Sequence, residues 1–132
     1  MTGKNGKILL ILNENFQRVP LSPDKIYFLS HPCTNGNGGE KPNREKEAEI
    51  YDLLCSEASG LKAIRPLKII PNKYDYDKAM RVCYYIIDVC DCVIFSPNWQ
   101  LSKGCKLEHK YCIENDIQRL YIVEEDISKI SP

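Results

Sequence analysis

Apolar runs alternate with helix-patterned stretches along most of the chain. Residues 25–30 (KIYFLS) form a short β-prone run, preceded by Pro20 and Pro23 and closed by His31 and Pro32. The run opens into a polar, glycine-rich loop at 33–42, CTNGNGGEKP. Asn43 is positioned to cap the next helix by accepting from an unpaired first-turn amide. That helix is expected to reach about Ser59, with Ala48, Tyr51, Cys55 and Ala58 on one face and Gly60 as its stop. Residues 63–71 (AIRPLKIIP) read as a weak strand, at an edge or broken, because Pro66 removes a ladder donor.

After a polar loop at 72–77, residues 79–90 are apolar almost all round, including Met80, Val82, Cys83, Ile86 and Ile87. A helix without a polar face is buried on more than one side, which in so short a chain predicts a subunit interface and a homo-oligomer. Residues 91–96 (DCVIFS) read as a buried central strand, followed by a turn at Pro97, Asn98 and Trp99. A helix over 103–115 and a last strand over 119–123 complete the pattern.

Repeated strand–helix–strand order with continuously apolar strands predicts an α/β domain with a parallel sheet and right-handed crossovers. Such a sheet takes ligands outside the carboxyl ends of its strands. The loops at 31–42, 72–77 and 97–104 are expected to meet there. The run at 8–12 is an extra strand with no evident place, so 1–24 reads as an N-terminal extension and 25–132 as the domain.

Composition narrows the partners. At 132 residues the chain suits one domain, able to build a core without metal or disulfide staples. Eighteen basic and eighteen acidic residues cancel, and there is no basic stripe to draw nucleic acid or an anionic membrane. No targeting signal is evident, and seven cysteines read as free thiols of a reducing, cytoplasmic compartment. Cys105, His109 and Cys112 share one helix face, but no CxxC knuckle accompanies them, so neither a metal nor another cofactor is expected.

The densest chemistry lies at 96–109, SPNWQLSKGCKLEH. Here a buried strand ends, Trp99 is exposed by a turn, and Ser102 and Gly104 open a helix carrying Glu108. Amides at such a helix start favour an anion or a hydroxyl-rich ligand, and Glu108 can face whatever they hold. An acid there also simply complements the helix dipole. His31, straight after a strand, is either a ligand contact or a strand-end cap. The glycines among 35–39 allow backbone amides to approach a phosphate, as they also allow an ordinary surface loop.

Tyr27 within Lys25-Ile26-Tyr27-Phe28, the strand DCVIF, and Ser102-x-Gly104-x-x-x-Glu108 together resemble the nucleoside 2-deoxyribosyltransferase superfamily. The likeness is greatest to a small bacterial and phage branch carrying Pro-x-Trp and then Ser-(Lys/Arg)-Gly-x-x-Leu-Glu-His. It covers about 25–123. The resemblance implies a flavodoxin-like three-layer sandwich that cleaves the N-glycosidic bond of a nucleoside or nucleotide. It places the nucleophilic carboxylate on Glu108, its orienting tyrosine on Tyr27, and a phosphate or hydroxyl contact on Ser102. By their positions in the chain, Gly104, Asn98, Trp99 and His31 are expected around the substrate.

A carboxylate there stabilises or traps an oxocarbenium-like state while a second acid protonates the leaving base. The family's second carboxylate falls on Cys83, eight residues before Asp91, and a thiol is a poor proton donor. Asp75 and Asp77 in the neighbouring loop are the substitutes, while Asp88 lies further along the helix. The rival reading is a catalytically inactive nucleotide-binding or sensing module with the same pocket.

Overall fold

The computed structural model describes residues 7–33, 40–70 and 74–126. The elements are β1 (Lys7–Leu12), β2 (Ile26–Ser30), α1 (Glu40–Glu57), β3 (Lys62–Ile64), α2 (Pro66–Ile69), α3 (Tyr76–Val89), β4 (Cys92–Phe95), α4 (Lys103–Glu114) and β5 (Gln118–Asp126). A 3-10 turn at Trp99–Leu101 precedes α4.

The five strands form one sheet in the order β1-β5-β4-β2-β3. Pairing is parallel between β2 and β3, β2 and β4, and β4 and β5. β1 alone runs antiparallel, against β5 from Lys7↔Asp126 to Leu12↔Tyr121. The fold is therefore a mixed α/β domain with a mostly parallel sheet, and the N-terminal run finds its place as an edge strand. β5 pairs with β4 only from Gln118 to Tyr121, and its remaining residues carry on beside β1.

Strand alternation divides the core in two. Tyr27, Leu29, Cys92 and Ile94 pack with Ile50 and Leu54 of α1 on one face. Phe28, Val93 and Phe95 pack with Cys83 and Ile87 of α3 and Cys112 of α4 on the other. Every residue of β4 is fully buried, as expected for a central strand covered on both faces.

Several sequence expectations are corrected. α1 starts at Glu40, so Asn43 is not its cap but a fully buried residue within it, whose Nδ2 donates to the Cys33 carbonyl at 2.9 Å. Pro42 is tolerated because first-turn N–H groups have no intrahelical acceptor. The buried stripe of α1 is Asn43, Glu47, Ile50 and Leu54, one position away from the expected face. Arg65 Nε holds Glu47 Oε1 at 2.9 Å, which explains how so polar a stripe is buried.

The segment at 63–71 is a three-residue edge strand followed by α2, because Pro66 starts a helix more readily than it joins a ladder. α3 is not apolar all round. It buries Met80, Cys83 and Ile87 and leaves Tyr85 74% and Val89 68% exposed, so within the chain it is covered on one side only. Gly60 does end α1 with a left-handed φ of 77°. The glycines at 36, 38 and 39 and residues 72 and 73 lie outside the described residues. Among the described residues no helix is long and apolar enough to cross a membrane.

Candidate functional site

α4 begins where β4 has just left the sheet at its carboxyl edge. Ser102 caps it, its Oγ accepting from the Cys105 amide at 3.2 Å. One and a half turns later Glu108 faces inward and is only 6% exposed. Ser30, the last residue of β2, donates from Oγ to Glu108 Oε1 at 2.7 Å. Cys83 of α3 adds a second side-chain hydrogen bond to the same carboxylate. Thus β2, α3 and α4 each contribute one atom group to a buried acid.

The electrostatics follow from burial. Loss of water pushes the Glu108 carboxyl up to about 7, against the Ser30 and Cys83 hydrogen bonds that favour its charged form. The Cys83 thiol is pushed far above its ordinary value by burial and by the adjoining carboxylate. Cys105, held by Ser30 and Ser102, is raised to about 12, chiefly by burial. Neither thiol ionises near neutral pH, so neither is an activated nucleophile.

Glu108 opens onto a cavity of about 480 Å³ at the carboxyl ends of the strands. Pro66, Leu67, Ile70, Met80, Tyr74 and Tyr76 give it a largely apolar wall, while Arg44, Glu40 and Lys103 stand among its polar residues. Arg44 is anchored by Glu40 and the Leu67 carbonyl, and Lys103 Nζ lies 5.2 Å from the centre of the Tyr76 ring. At Gly104 a Cβ would stand 3.6 Å from Met80 Sδ and 3.8 Å from the Tyr76 hydroxyl, so glycine leaves that wall open.

His31 borders the same cavity and is 5% exposed. Its Nδ1 lies 2.8 Å from Ser96 Oγ, and Nε2 is buried with no hydrogen-bond partner among the described residues. Burial holds the ring down to about 4; the Asn43 backbone offsets part of this and Lys46 adds to it. His31 is therefore neutral at physiological pH.

The structure brings Glu108, Ser102, Gly104 and His31 around one cavity and places the other expected residues elsewhere. Tyr27 points to the opposite face of the sheet, where its hydroxyl accepts from the Ser22 amide at 2.8 Å. The period-two alternation that puts Ser30 beneath Glu108 is what turns Tyr27 away. Asp75 caps α3, accepting from the Lys78 amide at 2.7 Å, and Asp77 is an exposed acid in that first turn. Neither borders the cavity.

Asn98 and Trp99 line a different cavity, beside His109 and Tyr121. There Trp99 stacks on His109 with ring centroids 4.2 Å apart. Ser30 and Tyr76 escaped the sequence reading. Strand parity from Phe28 would have found Ser30, but nothing local marks Tyr76. Among the described residues no group of three His, Cys, Asp or Glu side chains is arranged to hold a metal.

Comparison with curated proteins and with solved structures gave no match. The family model described as Domain of unknown function (DUF4406) matches residues 28–121, a span that includes Ser30, His31, Cys83, Ser102 and Glu108, and the chain belongs to that family.

Proposed function

We propose that this protein is an N-glycosidase of the nucleoside 2-deoxyribosyltransferase kind, with a flavodoxin-like arrangement. It separates base from sugar in a (deoxy)nucleoside or nucleotide. The observation that carries this reading is a buried carboxylate, Glu108, opening onto a largely apolar cavity at the carboxyl ends of parallel strands. A planar base suits the walls made by Tyr74, Tyr76 and Met80, and the sugar then lies over Glu108.

In its ionised form the carboxylate opposes positive charge developing at the anomeric carbon. Ser30 takes the orienting role expected of Tyr27, because its hydroxyl holds Glu108 Oε1. Ser102 and Gly104 offer contacts to sugar hydroxyls or a 5′-phosphate. The order β3-β2-β4-β5 of the parallel strands, with α1 on one face and α3 and α4 on the other, supports the flavodoxin-like arrangement.

The test is incubation with the common deoxynucleosides, ribonucleosides and their 5′-monophosphates, followed by chromatography for free base. Release by the wild type and its loss in Glu108→Gln is the expected result. Release that survives Glu108→Gln refutes the reading. The rival, a nucleotide-binding or sensing module, is favoured by one observation: Cys83 stands beside Glu108 where a second carboxylate would serve as acid. Binding of a monophosphate by calorimetry without base release would decide for it.

A further inference from the structure

Gly104 leaves a bare stretch of backbone on α4, and two hydroxyls border it. A side-chain carbon there would stand 3.8 Å from the Tyr76 hydroxyl and 3.8 Å from Ser102 Oγ. Tyr76, Ser102 and Gly104 all line the cavity of Glu108, and Tyr76 is 45% exposed. We propose that Tyr76 is a specificity-determining residue whose hydroxyl donates a hydrogen bond to the sugar 3′-hydroxyl of the bound nucleoside or nucleotide. This inference rests on the glycosidase reading and deepens it.

Helix geometry sets where the phenol acts. Gly104 and Glu108 are four residues apart on α4, so they share a face, with about 6 Å between them along the axis. A sugar whose anomeric carbon meets Glu108 therefore extends across the bare backbone of Gly104, where the Tyr76 hydroxyl stands. The same side chain serves the base through its ring, which forms part of the wall with Tyr74 and Met80. Its position is set from two sides. Asp75 caps α3 immediately before Tyr76, accepting from the Lys78 amide at 2.7 Å. From α4, Lys103 Nζ lies 5.2 Å from the ring centre, within range of a cation–π attraction.

The chemistry of the group suits a sugar hydroxyl. Burial, then the neighbouring Tyr84 and Glu108, hold the phenol above its ordinary value, so at neutral pH it keeps its proton and donates. Ser102 Oγ has one lone pair engaged by the Cys105 amide at 3.2 Å and keeps another for the same sugar. The 3′-hydroxyl is the one sugar hydroxyl that a 2′-deoxynucleoside and its 5′-monophosphate share, which makes it the contact open to either substrate.

The experiment uses two substrates on the full chain: a 2′-deoxynucleoside, or its 5′-monophosphate, found to be cleaved, and the matching 2′,3′-dideoxy compound. Tyr76→Phe keeps the ring and removes only the hydroxyl. It should lower kcat/KM on the parent by about three- to tenfold, the range of one neutral hydrogen bond. On the dideoxy compound, which has lost the partner already, the change should be less than twofold. Glu108→Gln should abolish cleavage of both. Equal losses on the two substrates in Tyr76→Phe, or no loss on the parent, would overturn the inference and leave the glycosidase reading standing. Cleavage that survives Glu108→Gln, or no release of base from any nucleoside or monophosphate by the wild type, would bring down the glycosidase reading and the inference with it.

Discussion

Replacing Glu108 by glutamine should change how stability depends on pH, and the size of the effect follows from burial. The folded carboxyl sits at about 7 against an ordinary 4.5. At about 1.4 kcal/mol per unit, that difference corresponds to about 3 kcal/mol between the two protonation states. Below pH 4.5 the group is protonated whether folded or not, and it costs nothing. Between about 4.5 and 7 the unfolded chain ionises while the folded chain keeps its proton, so stability falls as pH rises. Above about 7 the loss is complete.

Glutamine has the same shape, accepts from Ser30, and never ionises. The variant should match the wild type near pH 4.5 and exceed it by up to about 3 kcal/mol at pH 8, less whatever an imperfectly paired amide costs. Urea unfolding at pH 5, 6, 7 and 8, followed through the single tryptophan, Trp99, gives the difference directly. Other titrating groups, Glu47 among them, are common to both proteins and cancel. A constant separation of the two proteins across this pH range would refute the burial argument.

Three further outcomes are expected. On the proposed glycosidase reading the ionised Glu108 is the reactive form, so kcat/KM for base release should climb about tenfold per pH unit below about 7 and level off above it; a profile flat from pH 5 to 7 would contradict this. Asp75→Ala should cost ~1 kcal/mol through loss of the α3 cap while leaving base release unchanged, and a large loss of activity without loss of stability would restore Asp75 as a candidate acid. Brief alkylation of the native protein, read by peptide mass spectrometry, should mark the partly accessible Cys33, Cys55 and Cys90 well before the buried Cys83, Cys92, Cys105 and Cys112; early labelling of Cys112 would contradict the packing of α4 on the sheet.

The alternation of β and α elements was legible because β2, β4 and β5 are continuous apolar runs, and such runs need helices on both faces. The place of β1 was not, since an antiparallel edge strand is chosen by its partner across the sheet and carries no local mark of it. α1 was misphased because its inward stripe includes Asn43 and Glu47, whose burial depends on partners as distant as Arg65. α3 read as apolar all round because tyrosines count as hydrophobic in a pattern, yet Tyr85 leaves its ring in water.

For the site, Glu108, Ser102, Gly104 and His31 were found from position alone. Assigning Tyr27 to Glu108 failed on strand parity, and Asp75 was read as chemistry where its first duty is to hold a helix end.

The hydrogen bond between Ser30 and Glu108 joins residues 78 positions apart, and Cys83 enters from a third element. No folding intermediate that lacks either β2 or the α3–α4 contact can own this acid. If α3 lifts away, even briefly, water returns to the carboxylate and its affinity for a proton drops toward that of any exposed glutamate. The proton affinity of Glu108 is therefore a gauge of assembly: it stands at about 7 only where β2, α3 and α4 are closed around the carboxylate.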